Sequence, residues 1–195
     1  MATEHLSREK VTMPEAEKVT SFIEGRPTWQ YSGIMGWVKR GFYVRVIESL
    51  DTSSFVKDPV ESLKQYVGDD ATVEAIVEVS DFELEARMAK ECLESHSVLF
   101  DRKTPDLQDI SSYCNGSDVV MANVNYWTLL GEDKYAGHYV IIEDVLDNEV
   151  LLQNPGPPPI EDQIVTKEKF ISAWHYPNSN LANCLVVSKN KEVVS

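Results

Sequence analysis

The sequence predicts an α+β domain, and three observations carry that expectation. Helix caps and helix-period apolar positions dominate the stretch before Gly116, while alternating apolar runs dominate the stretch after it. At 195 residues with 43% hydrophobic content, the chain suffices for one buried core. No internal repeat, low-complexity tract or linker divides it, so residues 1–195 read as a single domain.

Met13 to Glu24 reads as a helix. Thr12 is placed to cap it, Pro14 falls in the first turn where a missing N–H costs nothing, and Gly25 ends it. A second helix is expected from Thr28, carrying Trp29, Ile34, Trp37 and Val38 until Gly41. Tyr43 to Ile47 alternates as a strand, with Val44 and Val46 on one face. From Asp51 to His96 the pattern is helical and acidic. Asp58-Pro59 opens one helix, Gly68-Asp69-Asp70 separates it from Ala71 to Val77, and Asp81 caps a third through Glu94. Phe82, Ala86, Ala89 and Leu93 form the expected buried stripe of that third helix. Val98 to Phe100 is too short to assign, and Thr104-Pro105-Asp106 starts a further helix.

Beyond Gly116, Val119 to Val124 reads as a buried strand. His138 to Asp144 and Glu149 to Gln153 form a hairpin, and Leu185 to Ser188 a closing strand. Pro155-Gly156-Pro157-Pro158-Pro159 is a stiff loop that cannot join a ladder. Thr166 caps a helix ending near Trp174.

Charge narrows the partners. Eighteen basic residues against 32 acidic ones give a formal charge of -14, which disfavours nucleic acid and anionic membrane surfaces. A peptide or protein partner is electrostatically easier. Cys92, Cys114 and Cys184 are too few and too odd for a disulfide framework and fit a reducing, cytoplasmic setting. No Cys or His spacing suits zinc, no apolar run is of membrane-spanning length, and the N-terminus lacks a signal-peptide pattern. No metal and no cofactor is expected.

The hairpin carries the chemistry. A turn centred near Leu146 sets His138 directly across from Asn154, with Val140 near Leu152 and Ile142 facing Val150. Directly paired residues have Cβ atoms about 4.5–5.5 Å apart, close enough for Asn154 to orient the imidazole. A one-residue slip would place the two on opposite faces. A histidine on a strand reads as a structural residue or as a general base, and spacing alone does not choose. Gly137 before the His and Pro155-Gly156 after the Asn suggest a shaped, open strand end. Trp29 and Trp37 read as core or groove wall. Asn123 and Asn125 either satisfy buried backbone groups or face a cleft.

Four segments together resemble the papain-like cysteine peptidases of the double-glycine leader-peptidase, or bacteriocin-processing, type. They are Val119 to Asn125, Gly137-His138-Tyr139-Val140, Gln153-Asn154-Pro155-Gly156, and Phe170 to Trp174. Thr28-Trp29 and Gly41 to Ile47 also match the middle of that domain, so the resemblance spans about residues 12 to 190. It implies a papain-like fold, with N-terminal helices packed on a C-terminal antiparallel sheet. His138 would then be the general base and Asn154 the residue that fixes its tautomer, standing where Asp is usual. Trp29, Asn125 and Gly137 would line the substrate groove.

The sequence departs from that family at its front. The nucleophile of such peptidases opens an N-terminal helix after a Gln, and no Cys precedes Thr28 here. Cys92 falls in an amphipathic helix, Cys184 leads a strand, and Cys114 sits in a loop, so none is assigned as nucleophile. The chain is expected to begin downstream of the nucleophile-bearing helix. Three readings are compatible with this: a cysteine-peptidase-like thiol hydrolase or acyl transferase whose Cys comes from elsewhere, an inactive papain-like scaffold that binds peptides or proteins, or a purely structural interaction protein.

Overall fold

Residues 43–48, 98–102, 119–125, 137–145, 149–154, 160–166 and 183–188 form the strands β1 to β7 of one sheet in the computed structural model. The structure describes residues 2–7, 10–156 and 158–195; Pro157 of the expected proline loop lies outside the described residues, as do Met1, Arg8 and Glu9. The strand order is β2-β1-β7-β3-β4-β5-β6. Helices α1 to α10 are Ala2–Ser7, Met13–Val19, Gln30–Val38, Thr52–Lys57, Pro59–Val67, Asp70–Val79, Phe82–Glu94, Leu107–Tyr113, Tyr126–Leu130 and Lys167–Trp174. The α+β class stands, with two corrections to the expected layout.

First, the sheet is mixed and not confined to the second half of the chain. β1 pairs antiparallel with β7 but parallel with β2, because α4 to α7 carry the chain back to the same end before β2 begins. Second, helices cover both faces. Val44, Val46, Met121, Leu185 and Val187 face α3 to α7, where Tyr31, Ile34, Phe55, Leu63 and Ala89 complete one core. Val120, Ala122, Val140, Ile142 and Val186 face the other way, against Ile110 of α8, Leu129 of α9 and Phe170, Ala173 and Trp174 of α10. Burial on both faces explains why β3 reads as a nearly continuous apolar run.

Acidic caps delimit the helices. Asp51, Asp58, Asp69 and Asp81 each accept a backbone N–H from the first turn of the helix they precede, at 2.8–3.1 Å. The Asp51 cap opens α4, a separate short helix within the stretch read as helical from Asp51. Helix α2 ends at Val19 rather than Glu24, since Ser21 takes a left-handed φ of 55° and turns the chain. Helix α3 starts at Gln30, leaving Trp29 at its cap position. The stripe of α7 is rotated from the expected one: Glu85, Ala89 and Cys92 are buried, while Leu93 is exposed.

A buried polar network ties α3 to the sheet. Glu48, at the end of β1 and only 3% exposed, accepts a hydrogen bond from Gln30 Nε2 at 2.9 Å. Gln30 Oε1 in turn accepts from the Tyr139 hydroxyl at 2.7 Å and from Asn183 Nδ2 at 3.3 Å. One glutamine therefore joins β1, β4 and β7. No cation among the described residues pairs with Glu48, and burial pushes its carboxyl up to about 7. Its proton is bound more tightly folded than unfolded, so its contribution to stability is full below pH 4.5 and is lost as pH rises through about 7. Glu48→Gln should remove about 3 kcal/mol of the fall in stability between those limits. Urea unfolding of both proteins at pH 4.5 and pH 8 measures this, and parallel pH dependence in the two would contradict it.

Candidate functional site

The site forms where β3, β4 and β5 meet at one end of the sheet. β3 ends opposite the start of β4, with Val124 paired to His138 and Asn125 to Gly137. The intervening segment leaves the sheet as α9 and returns, and Asn125 holds its two ends together. Its amide nitrogen donates to Thr128 Oγ1 and the Lys134 carbonyl, both at 2.7 Å. Its oxygen accepts from Ala136 N at 3.0 Å and Trp127 N at 3.3 Å. All four hydrogen-bonding positions of the amide are used by the chain itself.

The hairpin register differs from the expected one. Asp147 and Asn148 form a two-residue turn closed by a Leu146 N–H to Glu149 carbonyl bond of 2.9 Å, which pairs Val145 with Val150 and Asp144 with Leu151. A bulge at Glu143 then shifts the ladder, so that Ile142 pairs with Leu152 and Ile141 with Gln153. Continuing that register places Val140, not His138, opposite Asn154. His138 is the diagonal neighbour, two residues further along. The displacement is even, so His138 and Asn154 still share a face.

They touch. His138 Nε2 lies 2.9 Å from Asn154 Oδ1. Asn154 is fully buried, and its amide is oriented from both ends: Gly156 N donates to Oδ1 at 3.0 Å, and Nδ2 donates to Gln163 Oε1 at 3.1 Å. With the oxygen turned to the imidazole, Nε2 must be the protonated nitrogen. Nδ1 keeps its lone pair and has no hydrogen-bond partner among the described residues. Tyr126 covers the ring edge-on at 5.2 Å between centroids. Gly156 has φ 72°, and a Cβ there would fall 2.0 Å from the Pro158 carbonyl carbon, so only glycine allows the turn that delivers its N–H. Desolvation lowers the His138 pKa, and the Asn154 bond opposes this. The ring is therefore a neutral base near pH 7.

The remaining candidates separate. Gly137 lies at the open strand end beside His138, and a Cβ on it would sit 3.4 Å from Asn123 Oδ1 and the Tyr135 hydroxyl. Trp29 packs on Phe55 and Phe82, at 5.4 and 5.9 Å, and donates from Nε1 to Ser80 Oγ at 3.2 Å. It belongs to the core on the sheet face opposite that of His138. Cys92 and Cys184 are buried, and Cys114 is half-buried with its thiol toward the Ile110 and Ile142 carbonyls. Burial raises all three thiols, to about 12 for Cys92 and about 11 for Cys114. Gln163 is a site residue that the sequence did not disclose, and Gly156, expected only to shape the strand end, donates its N–H to Asn154. Among the described residues no group of three or more His, Cys, Asp or Glu is placed to hold a metal ion. Compared with known proteins, the chain matches no family model and no curated protein.

Two measurements test this site. The His138 imidazole should titrate below 6.5 by NMR, and Asn154→Ala should lower it further; a rise would contradict the pairing. In the native chain all three thiols should react with iodoacetamide at pH 7 at least about tenfold slower than in urea, given their low thiolate fractions. Rapid native labelling of any one would identify an active thiol.

Proposed function

We propose that this chain is the histidine-bearing part of a papain-like, cysteine-peptidase-like protein acting on or binding peptides. The single observation that supports the reading is the His138 Nε2 to Asn154 Oδ1 contact of 2.9 Å, with no partner for Nδ1 among the described residues. That is the arrangement a thiol needs beside it. Nδ1 takes the thiol proton, the thiolate attacks a carbonyl carbon, and the C–N bond breaks as the imidazolium returns the proton to the leaving amine. Water or an amine then displaces the acyl group from sulfur. Asn154, being neutral, stabilises the imidazolium less than an Asp would. The thiol itself comes from a segment or chain outside the described residues, since Cys92, Cys114 and Cys184 are disfavoured by their raised pKa values. Free thiols throughout fit a reducing, cytoplasmic compartment.

The same cysteine chemistry favours a second reading, a scaffold that holds an extended peptide at the open strand end without turnover. Exogenous thiol separates the two. With 2-mercaptoethanol and a peptide p-nitrophenyl ester, the chain should accelerate thiolysis at least about tenfold over its His138→Ala variant, as positioned base catalysis provides. Equal rates, with saturable peptide binding, would reject the hydrolase reading and leave the scaffold.

A further inference from the structure

We infer that Gln163 is a positioning residue: it holds the Asn154 amide in the one orientation that presents oxygen to His138. The inference rests on His138 and Asn154 acting as the pair described above.

The geometry begins with a second bulge. Glu149 to Leu152 of β5 pair with Thr166 to Gln163 of β6, but Asn154 pairs with Ile160, so Gln153 opposes both Glu161 and Asp162. Asp162 takes the left-handed conformation, φ 50°, which an Asp tolerates better than most side chains. Gln153 clasps it: Nε2 donates to Asp162 Oδ1 at 2.9 Å, and the Asp162 N–H donates to Gln153 Oε1 at 3.3 Å. Gln163 comes directly after the bulge. Paired to Leu152, it shares the face of Leu152, Asn154 and His138, and lies diagonal to Asn154, within reach of a long side chain. Its Oε1 accepts the Asn154 Nδ2 proton at 3.1 Å.

An amide flip would turn Nδ2 of Asn154 toward His138 and the Gly156 N–H, and Oδ1 toward Gln163 Oε1. Acceptor would face acceptor at Gln163, and donor would face donor at the Gly156 N–H, at a fully buried position. Gln163 thus opposes the flip from the nitrogen end, as Gly156 opposes it from the oxygen end. Because Asn154 Oδ1 selects the Nε2–H tautomer, Gln163 acts on Nδ1 through two intervening groups without touching a substrate.

Gln163→Leu removes the acceptor, and Gln163→Glu keeps an oxygen in its place. In Gln163→Leu the Asn154 side-chain amide protons should exchange about tenfold faster, the His138 Nε2–H resonance should broaden, and the imidazole should titrate lower. Gln163→Glu should restore all three. Circular dichroism of each variant establishes the fold, and Gln163→Met replaces Gln163→Leu should the latter not fold. An unchanged His138 resonance in folded Gln163→Leu, or no restoration by Gln163→Glu, would overturn the positioning role. Asn154→Ala tells that failure from a deeper one: if it too leaves His138 unchanged, the His138–Asn154 pair itself is rejected, and Gln163 with it.

Discussion

A strand offers alternate residues to alternate faces, and that constraint sorts every polar group at one end of this sheet. Glu48, Asn183, Asn123 and Tyr139 stand opposite one another in register, so they share the face covered by α3 to α7. There Glu48, Tyr139 and Asn183 tie helix to sheet through Gln30, and the Asn123 backbone N–H donates to Asn183 Oδ1. His138 lies one residue from Tyr139 and therefore points the other way, with Asn154 and Gln163. The two polar groups are neighbours in sequence and separated in space by the sheet. The Glu143 bulge keeps the second group together: without it, the register set by the two-residue turn would put His138 and Asn154 on opposite faces.

The two groups differ in electrostatic character. On the first face a carboxyl is buried beside amides and hydroxyls with no cation among the described residues, so the interior favours its proton. On the second face the imidazole is half-buried against an amide oxygen, and burial favours its neutral form. Both groups are held by hydrogen bonds to side-chain amides. Neutral imidazole with one nitrogen occupied is what a general base requires near pH 7. Charged imidazolium, were it needed at rest, would find no anion among the described partners of His138.

Much of this was legible in the sequence. The helix caps at Asp58, Asp81 and Thr166, the β3 run and the hairpin strands all obey local signals that the structure keeps. The pairing of His138 with Asn154 was legible because any even displacement preserves the face, so a register wrong by two still brings them together. The hidden features have a common cause, dependence on contacts beyond the local segment. β6 was missed because its bulge breaks the alternation of Ile160 to Thr166, and with it went Gln163. β2 is short, and its partner β1 lies four helices earlier. Trp29 carries no mark of which sheet face it covers, and the four bonds of Asn125 depend on a loop closure that no periodicity encodes.

The role given to His138 depends on which imidazole nitrogen bears the proton. A long-range 1H–15N correlation spectrum of the labelled chain at pH 7.5 reports this directly. A single Nε2–H tautomer is expected, with Nδ1 at the shift of an unprotonated ring nitrogen. A proton on Nδ1, or signals averaged between tautomers, would mean that Asn154 does not hold the ring, and the base assigned here would be lost.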